Sequence, residues 1–174
     1  MSKQSRLLAI DASVLRSAGD KQGHSSHCAG LLNAVLEIPH RAAFSAEIKA
    51  EWDKHQSRFS GKWRTSMVAR KQLVRVNIEK RQHDLLARMD AHSALSEQHH
   101  AALKKDAHML ASALEADHVI VTGDQILKNL TDAALGLPLE WLVVHQNDSA
   151  VAREQLIVRL HELSRNKPNP PLPV

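Results

Sequence analysis

Short apolar runs recur along the chain and predict four β-strands. Each run is too short for a typical helix and is followed by a polar or turn-forming stretch. The runs cover residues 6–10 (RLLAI), 41–44 (RAAF), 118–121 (HVIV) and 141–144 (WLVV). The first run ends at Asp11 and is apolar without alternation, which is typical of a strand buried on both faces of a parallel sheet.

Longer stretches between these runs carry apolar residues at helical spacing. Leu31, Val35 and Ile38, for example, fall on one face of a helix that Pro39 ends. Helices are predicted over residues 26–37, 46–55, 66–89, 96–103, 125–130 and 150–163, and a further helix begins at Asp106. Residues 17–27 are predicted to form a loop, and residues 56–65, which contain Gly61, a break.

The longest predicted helix, over residues 66–89, depends on one apolar stripe. Its members are spaced seven, four, seven and four residues apart: Met67, Val74, Ile78, Leu85 and Met89. A second stripe, with three arginines among its four members, repeats the same spacing beside it: Arg70, Asn77, Arg81 and Arg88. The pattern therefore predicts a long helix that is apolar on one side and positively charged beside it.

Strands that alternate with helices indicate an α/β fold, a parallel β-sheet with helices on both faces. The chain has 174 residues, of which 43% are hydrophobic, enough for one domain with a sizeable core. We expect a single domain over residues 1–165. The remaining segment, 166–174, contains four prolines and is predicted to be a disordered or extended tail.

Acidic residues lie where this fold places its ligand site, beyond the carboxyl ends of the strands. Asp11 and Asp124 each follow a predicted strand, Asp106 opens a helix, and Glu51 lies about a turn and a half into another. Because helices run antiparallel to the strands, these carboxylates are expected to meet at one crevice. Clustered carboxylates need a cation, and Mg²⁺ or Mn²⁺ with a few carboxylates suits phosphodiester hydrolysis.

Three of these acids also have a purely structural interpretation. Asp11 is suited to cap a turn at Ser13, Asp106 to complement a helix dipole, and Asp124 to occupy a turn. Because all of these acids are expected at the same edge of the sheet, the functional interpretation is favoured over three independent structural ones. Hydroxyl groups of Ser13 and Thr122 are expected to support the acids by hydrogen bonds.

Positive charge is concentrated in one segment. The formal net charge is +4, and residues 41–88 contain twelve Lys or Arg and five Asp or Glu. This segment is interpreted either as a solvated helix surface or as a surface for a polyanion such as RNA. The residues predicted to contact phosphate are Lys49, Lys54, Arg58, Lys62, Arg64, Arg70, Arg81 and Arg88.

The cysteine count and the hydropathy of the chain indicate where in the cell the protein is expected. Cys28 is alone, so a disulfide framework is not expected, and no apolar stretch is long enough for a transmembrane helix. The N-terminus lacks the apolar run of a signal peptide. These features favour a cytoplasmic protein that is not bound to a membrane.

Four segments resemble the ordered motifs of PIN domains. LLAID with Ser13 is similar to the first strand and turn, and SAEIKAE to the second acidic motif, whose later acid is Glu51. KDAHMLASAL resembles the third motif, which contains Asp106. VIVTGD is similar to the fourth, a Ser or Thr followed two residues later by an acid, here Asp124. The resemblance extends over roughly residues 6–145.

This resemblance implies a Mg²⁺- or Mn²⁺-dependent endoribonuclease, often the toxin of a bacterial toxin–antitoxin pair. It implies that Asp11, Glu51, Asp106 and Asp124 bind the metal and carry the catalysis. A homodimer and an inhibitory antitoxin protein are the expected partners besides RNA. The long basic helix and the Pro-rich tail depart from the family pattern.

Two other functions stay open: a non-catalytic PIN-like module that binds RNA or protein, and a DNA nuclease. The presence of all four acids favours an enzyme over the module. Zinc spacing, glycine-rich phosphate loops and the serine-hydrolase motif are absent from the sequence, which argues against those classes. Most of the twelve His are expected at the surface or at helix ends.

Overall fold

A parallel sheet forms the centre of the protein. The computed structural model describes residues 4–19, 25–144 and 149–166. The strand order is β3-β2-β1-β4-β5, and every neighbouring pair is parallel. The strands are β1 (Leu7–Ile10), β2 (Arg41–Phe44), β3 (Leu73–Arg75), β4 (Val119–Thr122) and β5 (Glu140–Val143). The predicted α/β class is confirmed, and each of the four predicted strands is present within one residue of its expected bounds.

Helices cover both faces of this sheet. They are α1 (Ala12–Ser17), α2 (Ser25–Glu37), α3 (Ala46–Lys54), α4 (Arg58–Ala69), α5 (Glu79–Ala91), α6 (Glu97–Lys105), α7 (Ala107–Leu114), α8 (Gln125–Ala134) and α9 (Ala150–Leu163). Helix α2 packs against α1, α4 and α9, whereas α7 packs against α5 and α6 and α6 packs against α8. Right-handed crossovers place these two groups on opposite faces.

The two central strands are buried along their whole length. Leu8, Ile10 and Ile120 are fully inaccessible to solvent, and β4 is buried at every position. Burial of each such side chain contributes about 1.5–3 kcal/mol relative to leaving it exposed. The Nε1 of Trp52 in α3 donates a hydrogen bond of 2.9 Å to the carbonyl oxygen of Ile10, which ties α3 to the end of β1.

The single long helix predicted over residues 66–89 is wrong. Helix α4 ends at Ala69, β3 follows, and α5 begins at Glu79. The predicted break over residues 56–65 is also wrong, because most of that segment belongs to α4. The Ser57 hydroxyl oxygen accepts the Ser60 N–H and caps this helix, and the Ser57 N–H donates to the Ser60 hydroxyl oxygen, which completes a capping box.

Backbone geometry at Lys71 explains the error. Lys71 has a φ of 56°, its N–H bonds to the Val68 carbonyl at 3.0 Å, and the Gln72 N–H bonds to the Met67 carbonyl at 2.8 Å. These two bonds form a Schellman motif, in which glycine is the usual residue at the left-handed position. With lysine there, the sequence carries no sign of the helix end.

Other predicted boundaries differ by small amounts. Residues 12–17 of the chain form α1, so the predicted loop over residues 17–27 begins at the end of a helix, and α2 begins at Ser25. Helix α8 extends beyond the predicted 125–130. The tail prediction concerns residues 166–174, of which 167–174 lie outside the described residues. None of the helices in the described ranges is both long and apolar enough to cross a membrane.

Candidate active site

Asp11 lies at the point where the strand order changes direction. It follows β1, whose neighbours β2 and β4 lie on opposite sides, so the crevice between the ends of β1 and β4 opens beside it. Its Oδ1 accepts the Ser13 N–H at 3.3 Å and caps α1. Its Oδ2 accepts the hydroxyls of Ser13 at 2.8 Å and of Thr122 at 2.6 Å. The carboxylate is thus held in one orientation.

Asp124 lies across this crevice and is tied to the same network. Its N–H donates to the Thr122 hydroxyl at 3.0 Å, and its Oδ1 accepts the Leu127 N–H at 2.9 Å, capping α8. The Gly123 N–H donates to the Ser13 hydroxyl at 3.1 Å. Ser13 and Thr122 therefore support the acids by hydrogen bonds, as predicted, and they lock the ends of β1 and β4 together.

Asp106 is the third acid at this edge, and it occupies the N-cap position of α7. It lies between α6 and α7 and makes no side-chain capping hydrogen bond. Burial, followed by the charge of Asp11 and that of Asp124, raises the pKa of Asp106 to about 6, against the opposing charges of Lys105 and His108. The carboxylates of Asp11, Asp106 and Asp124 are therefore close enough to interact electrostatically. Of the structural interpretations, capping holds for Asp11, and Asp124 caps α8. Asp106 stands at the start of α7, as its helix-dipole interpretation requires, without a side-chain capping hydrogen bond.

Glu51 approaches the site through a histidine. It lies in α3, and its Oε2 is 3.2 Å from Nε2 of His108 in α7, although the two atoms are not aligned as a hydrogen bond. His108 in turn is close enough to Asp106 to influence its pKa.

The carboxylate oxygens at this edge are the type of ligand that a hard divalent cation prefers, although the described residues do not form a complete set of metal ligands. Within ranges 4–19, 25–144 and 149–166, no group of three or more His, Cys, Asp or Glu side chains is placed to hold a metal ion. Mg²⁺ needs fewer protein ligands than that, because it retains waters and is bound through one or two carboxylates together with substrate phosphates. The uncompensated charge at Asp106 fits such a partner.

The residues predicted to contact phosphate do not form one stripe. Helix α4 packs against α2, α5 packs against α6 and α7, and α3 contacts both α1 and α7. Arg81 forms an ion pair with Glu115 at 2.8 Å, and Arg64 pairs with Asp53 at 2.7 Å. Lys49 also pairs with Asp53. The predicted continuous basic face of a long helix is therefore wrong.

The remaining predicted phosphate contacts fall into two groups. Arg70 and Arg88 donate to backbone carbonyls, of Leu36 at 3.3 Å and of Leu135 at 2.8 Å. Three others are exposed, and in the part of the chain that the structure describes they form no ion pair: Lys54, Arg58 and Lys62. These three belong to the end of α3 and the first half of α4, and they are the charges most available to a polyanion.

Sequence reasoning missed His108 and Lys105 as neighbours of the site. His108 lies in the first turn of α7 and is buried. Every residue of α7 is buried, and the apolar run AHMLASAL around His108 is the sequence signal that indicates this. Lys105 is exposed beside Asp106, at the end of α6.

Comparisons with known proteins add no relative. No protein-family model matches the chain, and no curated protein matches it either.

Proposed function

We propose that the protein is a Mg²⁺- or Mn²⁺-dependent endoribonuclease of the PIN-domain kind. One observation carries the proposal: burial, together with the charges of Asp11 and Asp124, raises the pKa of Asp106 at the carboxyl edge of a parallel sheet. Retaining mutually repelling acids costs stability, and such strain is commonly kept for function. The order of the four acidic motifs along the chain supports the same proposal.

The acids have different tasks in this proposal. Asp11, fixed by Ser13 and Thr122, and Asp106, whose side chain makes no capping hydrogen bond, would hold the ion. Asp124 and Glu51 would orient water. A bound divalent cation supplies a Lewis acid that polarises the phosphoryl oxygen and lowers the pKa of water.

The reaction itself is an in-line hydrolysis. The oxygen of water attacks phosphorus, the P–O3′ bond breaks, and the water proton passes to a carboxylate, for which Glu51 is the candidate. The departing 3′ oxygen takes up a proton from solvent. The products are a 5′-phosphate and a 3′-hydroxyl.

The substrate surface is proposed to lie on α3 and α4. Lys54, Arg58 and Lys62 are exposed there, and Lys105 adds a cation beside Asp106. Each phosphate that these residues neutralise on a single strand should contribute about 0.7 to the salt slope of affinity. Charge reversal of all three α3–α4 residues should weaken binding to every sequence alike, whereas reversal of exposed Lys80 on α5 serves as the matched control.

A cleavage assay tests the enzyme proposal. Single-stranded RNA, structured RNA and DNA of the same sequence are incubated with the parent protein in Mn²⁺ and in EDTA. Asp106→Asn should abolish Mn²⁺-dependent RNA cleavage, while Asp84→Asn, an exposed acid on α5, should leave it unchanged. Products ending in a 2′,3′-cyclic phosphate, or cleavage that persists in EDTA, would refute the mechanism. Equal cleavage of DNA would make the protein a general nuclease.

Toxin activity, a homodimer and an antitoxin are proposed from the family resemblance alone. Expression of the parent should then arrest growth, and Asp106→Asn should relieve the arrest. Normal growth with the parent and a monomeric mass in solution would argue against these partners.

A further inference from the structure

A cavity of about 350 Å³ lies between α3, α4 and strands β2 and β3, and none of the four acids lines it. Phe44 at the end of β2, Leu73 in β3 and the exposed Val68 of α4 give it apolar walls. Its volume is within the usual range of ligand pockets. The cavity is therefore a candidate binding site that the proposed reaction does not use.

One side of this cavity is a cation held in a fixed orientation. Arg64 lines it, and the guanidinium carbon lies 5.6 Å from the centre of the Trp52 ring. The guanidinium donates to Asp53 at 2.7 Å and to Gln56 at 3.0 Å, and only 16% of the Arg64 side chain is exposed. Planar guanidinium groups are surfaces on which nucleobases stack.

The amide of Gln56 supplies a hydrogen-bond donor at the rim of the cavity. Because an arginine only donates, Oε1 of Gln56 faces Arg64, and Nε2 is left to donate elsewhere. Among the described residues, Nε2 has no protein acceptor. It lies against Gly61, where a Cβ atom would be 2.9 Å from it, so the glycine makes room for the amide. Apolar walls with a free donor suit a flat group that carries a carbonyl oxygen or a ring nitrogen.

Exposed cations adjoin the cavity. Arg58 precedes Gly61 by three residues and Lys62 precedes Thr65 by three, so each cation lies one helical turn from a residue that lines the cavity. Neither forms an ion pair with the part of the chain that the structure describes. An anionic backbone along these cations would bring an attached flat group to the cavity. Single-stranded nucleic acid combines both features, whereas an apolar side chain of a protein partner would leave the amide donor unused.

We propose that this cavity binds one nucleobase of single-stranded RNA while Arg58 and Lys62 hold adjoining phosphates. This inference rests on the proposed function, because it takes RNA as the ligand, and it adds a base-binding subsite to that function. The base would lie against the apolar walls and Arg64 and accept a hydrogen bond from Gln56. Helix α3 carries both Trp52, which lines the cavity, and Glu51, so the subsite and the acids are joined by one helix.

The experiment measures binding in EDTA by isothermal titration calorimetry, so that affinity is separated from cleavage. The probes are a short single-stranded RNA of mixed sequence and inorganic polyphosphate, which has phosphate charges without bases. Gln56→Leu removes the donor, and Gly61→Ala displaces the amide while favouring the helix. Gln98→Leu, at an exposed glutamine of α6, is the matched control.

Gln56→Leu and Gly61→Ala should each weaken RNA binding about 5-fold, the usual worth of one hydrogen bond, and the double variant should lose no more than either. Gln98→Leu should bind like the parent. The salt slope for RNA and the affinity for polyphosphate should stay at the parent values, because no charge is changed.

Unchanged RNA affinity in both variants overturns the proposal, and so does an equal loss of affinity for RNA and for polyphosphate. Should Gln56→Leu not fold, Gly61→Ala decides the matter alone. Variants that bind RNA like the parent but lose a protein partner that the parent retains would assign the cavity to a protein instead.

The two proposals fail in distinguishable ways. If the parent cleaves RNA and both variants bind RNA as tightly as the parent, the base subsite alone is contradicted. If the parent cleaves neither RNA nor DNA, yet the variants show the expected loss of RNA affinity, the nuclease is contradicted and the base subsite is supported.

Discussion

Replacement of Asp106 by Asn should stabilise the metal-free protein. The substitution keeps the shape of the side chain, and no capping hydrogen bond is lost. It removes a charge that is disfavoured by burial and by the charges of Asp11 and Asp124. A structural acid at a helix start would have the opposite effect, because its loss would cost stability.

The magnitude follows from the pKa of Asp106, which rises from 3.8 to about 6 on folding. Each unit corresponds to about 1.4 kcal/mol, so the unfavourable free energy is at most ~3 kcal/mol. Because the side chain is only partly buried and solvent screens the charges, we expect Asp106→Asn to gain ~1–2 kcal/mol at pH 8. For a protein of this size, such a gain would raise Tm by roughly 2–8 °C.

The pH dependence of stability shows whether the charge of Asp106 stabilises or destabilises the folded protein. Above pH 6 Asp106 is charged in both states, and the folded state carries the full penalty. Between pH 6 and 3.8 the folded protein takes up a proton that the unfolded chain does not bind, so the penalty disappears. The advantage of Asp106→Asn over the parent should therefore be largest above pH 7 and shrink towards pH 4.

Thermal or urea unfolding in EDTA at several pH values measures this difference. Asp84→Asn, on the exposed face of α5, is the control for removing one negative charge. The reasoning would be refuted if Asp106→Asn were no more stable than the parent at pH 8. It would also be refuted if the difference in stability between the two proteins were as large at pH 4 as at pH 8. Added Mn²⁺ should reverse the order by stabilising the parent, by about 2.7 kcal/mol at a concentration of 100 times Kd.

Three other predictions concern the supports of the site and the fold. Thr122→Val should cost about 2 kcal/mol in urea unfolding, because the hydroxyl donates to a carboxylate and accepts the Asp124 N–H, whereas Thr122→Ser should cost much less. Lys71→Gly should gain ~0.5–1 kcal/mol by relieving the positive φ, and Lys71→Ala, which retains Cβ, should show no such gain. Burial lowers the pKa of His40 below its ordinary value of 6.5, so its contribution to stability is full above pH 6.5 and is lost as pH falls below it. His40→Asn should therefore lose less stability than the parent between pH 7 and 5, and equal losses would contradict that account.

The sequence alone was sufficient for the centre of the fold. Strands β1 and β4 are buried on both faces, so each appears as an unbroken apolar run that ends at a polar turn. The acids after these runs, Asp11 and Asp124, could then be placed at one edge from topology. Local signals were enough here because a parallel strand must leave the sheet at its carboxyl end.

At the edge of the sheet, local signals were insufficient. Strand β3 has three residues and only one neighbour, and its apolar positions also match a helical spacing. What separates α4, β3 and α5 is the left-handed backbone of Lys71, together with the amide of Gln72, which donates to the His40 carbonyl at 2.7 Å. That contact joins residues far apart in the sequence, so no local pattern contains it.

For the candidate site too, some features could be predicted from the sequence and others depended on the tertiary structure. The sequence determined which acids belong to it, since residue type and position after a strand are local properties. Only the tertiary structure decided that Asp106 makes no side-chain capping hydrogen bond while Asp11 and Asp124 serve as caps, and that Glu51 meets His108. It also decided that the basic residues of α4 and α5 lie on opposite faces. Electrostatic coupling and burial depend on distances across the fold, and the spacing of residues along a chain does not specify those distances.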